Sequence, residues 1–90
     1  YAEAISSYEK ALALYPASTI ALFAYAEACL ADHRYDDSLQ ALKKVLALSS
    51  GESARAYRQL ARVYRAKNLP DLAAEAERLA SAPVGVQLFR

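Results

Sequence analysis

The chain has 90 residues, 56% of them hydrophobic, with 11 Lys and Arg against 10 Asp and Glu and a net charge of +1. It is one domain at most, too apolar for a disordered tail and too near neutrality for a dedicated nucleic-acid binder. No run approaches the roughly 18 to 20 continuous apolar residues of a membrane span, and the single cysteine, Cys29, excludes an internal disulfide framework or a Cys-cluster metal site.

Residues 1–14 form the first predicted helix, with Tyr1, Ile5, Tyr8 and Leu12 recurring along it. The chain opens directly in this pattern, without Met or a visible signal sequence, and reads as a piece of a longer polypeptide. Tyr15-Pro16 ends the helix, because Pro cannot continue the hydrogen-bond ladder and pushes the residue before it out of the helical region. Ser18 or Thr19 can cap a second helix that runs to about Asp32. His33-Arg34 is a turn. Tyr35 or Asp36 opens a third helix ending near Leu48, with Asp36 and Asp37 favouring its N-terminal dipole.

In the connector 49–53, Ser49 and Glu52 have capping-box spacing and Gly51 permits a positive φ. Residues 54–67 contain no Gly or Pro and form the fourth helix. Asn68 suits the left-handed position after that helix, and Pro70 suits the first turn of the fifth. Two registers are open for the fifth helix. One turns Ala73 inward and puts Glu77 at a large apolar position. The other turns Leu69, Leu72, Ala76 and Leu79 inward. The second buries no charge and is preferred on desolvation grounds. Pro83 ends the helix, and the apolar stretch 84–90 leads into a following element.

These elements repeat. Tyr1 to Tyr35 and Ala11 to Val45 are each 34 residues apart, and Ala26 to Ala61 is 35. Leu22-x-x-Tyr25-Ala26-x-x-Cys29 matches Tyr57-x-x-Leu60-Ala61-x-x-Tyr64. Ala4-x-x-x-Tyr8 before Pro16 is echoed by Ser38-x-x-x-Leu42 and by Ala73. Small residues at Ala26 and Ala61 let paired helices approach closely, with larger side chains filling the gap around them. A helix pair of this size cannot bury its apolar face alone, so neighbours must stack.

The pattern resembles the tetratricopeptide repeat. The resemblance implies an all-α fold, a right-handed superhelix of antiparallel helix pairs with about five helices. Residues 1–16 would be the second helix of a truncated repeat. Residues 17–50 and 51–83 would be whole repeats, and 84–90 a tail. It also implies that the first helix of each repeat lines a concave groove.

One feature of the fourth helix stands apart. Arg55, Arg58, Arg62 and Arg65 recur at i, i+3, i+7 and i+10 beside the apolar face of Tyr57, Leu60, Ala61 and Tyr64. In the resemblance, groove positions fall on Ile20, Phe23, Glu27, Leu30 and Ala31 in one repeat. In the next they fall on the four arginines and Ala66. An apolar wall of Ile20, Phe23 and Leu30 would then face a basic wall. Such a groove suits an acidic partner peptide with apolar side chains, since guanidinium forks bind carboxylates bidentately. The implied function is a protein-interaction scaffold. The alternative for the stripe is a solvated face, with Glu27 or other acids pairing the arginines in contacts of about 0 to 1 kcal/mol. A clamp for a C-terminal carboxylate, as in some members of the family, is not supported. Arg55 matches one of its basic positions, but Gln59 and Ala24 stand where a cation and an Asn are expected.

Two further functions are weighed against the scaffold. Helical repeats can also bind RNA, although the near-neutral balance and the 34-residue period argue against nucleic acid. An interaction domain of a larger enzyme is the other reading. The chain itself is not expected to be an enzyme. One His, one Cys and no Gly-rich phosphate loop give no catalytic constellation, no metal site and no cofactor. His33 reads as a solvated turn residue. Cys29 reads as a small buried hydrophobe, and a lone thiol fits a reducing compartment such as the cytoplasm. The outer face of helix 1–14 is expected to be partly bare, which predicts self-association through it.

Overall fold

The computed structural model describes residues 1–48 and 51–81. Among these residues five helices follow one another: α1 (Ala2–Leu14), α2 (Thr19–Ala31), α3 (Tyr35–Ala47), α4 (Ser53–Ala66) and α5 (Pro70–Ser81). There is no strand among the described residues. No helix among them is long and apolar enough to cross a membrane.

Local chemistry sets the boundaries. Tyr15, at φ −133° and ψ 74°, ends α1 ahead of Pro16. Ser18 caps α2, its Oγ accepting from the Ala21 N–H at 3.2 Å. α2 and α4 both stop in a Schellman motif. After α2, His33 N–H reaches the Leu30 carbonyl (3.1 Å) and Arg34 N–H the Cys29 carbonyl (2.7 Å). After α4, Asn68 N–H reaches Arg65 (3.0 Å) and Leu69 N–H reaches Tyr64 (2.8 Å). The left-handed residues are His33 (φ 62°) and Asn68 (φ 66°). Asn68 was expected there. His33, expected only as a turn residue, takes the same backbone, at which histidine, like Asn and Asp, is enriched. Gly51 has φ 85°, and a Cβ there would meet nothing within 4 Å, so backbone angle rather than crowding selects glycine. The expected capping box falls partly outside the described residues, at Ser49. Glu52 is the N-cap residue of α4 and makes no side-chain cap bond.

Helices α2 to α5 share a core that includes Leu22, Phe23, Ala26, Leu39, Leu42, Val45, Leu60, Ala61, Val63, Ala73 and Ala76. Ala26 lets α3 come close enough for the buried Ser38 hydroxyl to donate to the Ala26 carbonyl at 2.8 Å. Cys29 is buried in the same helix. α1 packs on α2 and buries Ile5, while Tyr8 and Leu12 are half-buried and Tyr1 is exposed. Each helix packs mainly on its neighbours in the chain. The result is a slab of 45 × 30 × 12 Å, a solenoid of stacked helix pairs rather than a ball.

The last helix departs from the preferred register. Ala73 and Ala76 are its buried positions, Leu79 and Ala80 are half-buried, and Leu69 and Leu72 are exposed. Two alanines at i and i+3 let α5 lie close on α4, which a leucine at either position would prevent. Glu77 still stays out of the core, because it turns onto Arg65. Pro83 and the stretch 84–90 lie outside the described residues.

Candidate partner-binding face

The helical phase of α4 sets the geometry. Ala56, Leu60, Ala61 and Val63 turn into the core, and Arg55, Arg58, Arg62 and Arg65 come out together along one exposed side. The four guanidiniums are not equivalent.

Arg55 is engaged with its own chain. Its guanidinium carbon sits 4.1 Å above the Phe23 ring centroid, and Nη1 is 3.7 Å from Glu52 Oε2. Glu52 Oε1 in turn accepts from Thr19 Oγ1 at 3.1 Å. Thr19, Glu52, Arg55 and Phe23 thereby tie the start of α2 to the start of α4. Arg65 is engaged at the other end of α4, paired with Glu77 of α5. Among the described residues no ion pair reaches Arg58 or Arg62.

On α2, Ile20 is 81% exposed, Leu30 is half-buried, and Glu27 is exposed and pairs with no arginine among the described residues. Phe23 corrects the expected apolar wall. It is 1% exposed, a core residue roofed by Arg55, and presents no free surface. Among the described residues the acids that pair the arginines of α4 are Glu52 and Glu77, not Glu27. Glu52 was within reach of sequence reading, as the i−3 neighbour of Arg55 on a helix. Glu77 was not, because its reach to Arg65 depends on the register of α5.

Two open hollows flank the α4–α5 pair. One, of about 400 Å³, is lined by Arg65, Asn68, Pro70, Ala73, Ala74 and Glu77. The other, of about 390 Å³, is lined by Arg58, Glu77, Ala80 and Ser81. They share Glu77, and among the described residues their uncharged lining, apart from Pro70 and Asn68, is alanine and serine.

Several other polar groups are occupied locally. Burial pushes the Tyr25 phenol up to about 12, helped by its hydrogen bond to Cys29 and by the negative Asp37 and Glu9. Burial also raises the Cys29 thiol, which keeps it protonated and a poor nucleophile. His33 Nδ1 lies 2.7 Å from the Tyr35 hydroxyl at the exposed turn. Lys67 Nζ lies 2.6 Å from Asp36, and that hydrogen bond and charge hold the carboxyl below its usual range. Among the described residues no group of three His, Cys, Asp or Glu could hold a metal ion.

The family model for the tetratricopeptide repeat matches residues 1–53 and again residues 30–84. Neither a curated protein nor a solved structure matches the chain. Repeats of this family generally mediate protein–protein interaction and are typically non-enzymatic scaffolds. With five stacked helices, an Ala26/Ala61 packing pattern and a family match over residues 1–84, the chain belongs to the tetratricopeptide repeat family.

Proposed function

We propose that the chain is an interaction scaffold that takes an acidic segment of a partner protein along the exposed side of α4. What supports the reading is the unequal state of the four arginines. Arg55 and Arg65 already meet acids of the chain, whereas Arg58 and Arg62 stand exposed without one among the described residues. They are four residues apart on a helix, hence neighbours on one face, and can receive two carboxylates or grip one from both sides. Ile20 and Leu30 offer apolar contact on α2, and Glu27 discriminates against acids placed beside them.

The test is fluorescence anisotropy with a labelled peptide of alternating Asp and Leu, a matching Lys–Leu peptide and a single-stranded RNA of similar length. The Asp–Leu peptide is expected to bind. An Arg58→Glu/Arg62→Glu variant, checked for folding by circular dichroism, is expected to weaken it by about tenfold or more. Equal binding by wild type and variant sinks the reading. Tighter binding of the RNA, with a steep log–log dependence on salt, replaces it by phosphate recognition.

A further inference from the structure

The outer face of the α4–α5 pair differs in kind from the same face one repeat earlier. In the earlier repeat the positions equivalent to its lining are Phe23, Leu30, Ser38, Leu42 and Val45. All but the half-buried Leu30 are at most 1% exposed, and Phe23, Leu42 and Val45 belong to the shared core. Moved on by 35 residues, the positions read Arg58, Arg65, Ala73, Glu77 and Ala80. Aromatic and leucine have become arginine, and the fully buried Leu42 has become the exposed Glu77. Positions that are mostly apolar and buried in the earlier repeat carry two cations, a carboxylate and two alanines here.

Glu77 sits where the two hollows meet, with Arg58 lining one and Arg65 the other. It is paired with Arg65, and the two side chains are 49% and 53% exposed. An ion pair that open to water is weak and exchangeable. We propose that Glu77 is an internal stand-in for a partner's carboxylate. In the free chain it holds Arg65. It is displaced when an acidic segment of a partner lies extended along the trough, with its carboxylates on Arg58 and Arg65 and its backbone over Ala74 and Ala80. This rests on the acidic-segment reading above, shares Arg58 with it, and adds that the segment continues from α4 onto α5, where Glu77 competes with it. The charge balance of the trough argues for this occupant, since among the described residues two lining arginines face one lining carboxylate.

The test uses the same labelled Asp–Leu peptide at low salt against wild type, Glu77→Gln, and Glu3→Gln. The last makes the same change of net charge on α1, away from the trough. Glu77→Gln is expected to bind about three- to fivefold more tightly than wild type, the size of one exposed ion pair released. The gain should shrink as salt is raised, be absent in Glu3→Gln, and be absent when Glu77→Gln is made on an Arg65→Ala background. Unchanged or weaker binding by Glu77→Gln overturns the stand-in role while leaving the acidic-segment reading in place, provided Arg58→Glu/Arg62→Glu still loses the peptide. If wild type does not bind the peptide, both fall together. If a chain ending at Ser81 gains affinity and Glu77→Gln does not, residues 82–90 are the competitor and the proposal is wrong.

Discussion

Replacing Arg55 by alanine removes two contacts at once, and their sum can be worked out. A guanidinium 4.1 Å above the Phe23 centroid is a cation–π contact. With the arginine side chain 49% exposed, it contributes about 0.5 to 1 kcal/mol. The 3.7 Å pair with Glu52 is exposed at both partners and adds between about 0 and 1 kcal/mol. Arg55→Ala should therefore cost about 1 kcal/mol, which in a domain of this size lowers Tm by about 4 to 8 °C. Arg58→Ala, with no such partner, should stay within about 0.5 kcal/mol of wild type. Urea unfolding followed by far-ultraviolet circular dichroism measures both. A double-mutant cycle isolates the stacking, with Phe23→Leu keeping the core apolar while removing the ring. The coupling between Arg55→Ala and Phe23→Leu should be about 0.5 to 1 kcal/mol. A coupling indistinguishable from zero, or an Arg58→Ala loss as large as that of Arg55→Ala, would refute the division of the stripe into a structural arginine and free ones.

Two further outcomes follow from the caps and the buried phenol. Of the seven tyrosines, Tyr25 should ionise late, near pH 12, and Tyr25→Phe should remove that late step from the phenolate absorbance titration. Its folded-state pKa lies above the usual 10, so the stability it contributes is complete below pH 10 and is lost as pH rises from 10 to about 12. At the Schellman positions, His33→Gly should stabilise the chain by about 0.5 to 1 kcal/mol, relief of left-handed strain outweighing the exposed bond to Tyr35. Asn68→Gly should gain less than about 0.5 kcal/mol, because asparagine tolerates that backbone. A loss of stability in His33→Gly on chemical unfolding would show that the ring contact dominates.

Much of the fold could be read from local rules. Pro16, Ser18, Asn68 and Pro70 act on the backbone within a residue or two, so the structure finds them where composition put them. Ala26 and Ala61 were legible because close helix approach tolerates little else. The site was legible only in part. Helical phase brought the arginines onto one side, but phase says nothing about what a long side chain meets across an interface. Phe23 looked like a groove residue because its spacing is right. Its burial depends on the side-by-side placement of α2 and α4, which Thr19, Glu52 and Arg55 hold across more than thirty residues of sequence. The α5 register failed for a related reason. Excluding Glu77 from the core was sound, but a salt bridge to Arg65 achieves that without turning Leu69 and Leu72 inward.

The neighbour-on-neighbour packing of the helices also bears on how the chain acquires its shape. The main interfaces join helices consecutive in sequence, and the side-chain ties between repeats span only 25 to 33 residues. Forming any one interface therefore closes no more than a short loop, and the entropic barrier to each step is small. Low contact order of this kind places folding in the microsecond to millisecond range. A nucleus at any hairpin can grow in either direction, each docked helix offering the template for the next. Unfolding should run the same course in reverse. Among the described helices α1 has the smallest of the main interfaces, and its amides should exchange with solvent ahead of those around Leu42 and Ala61.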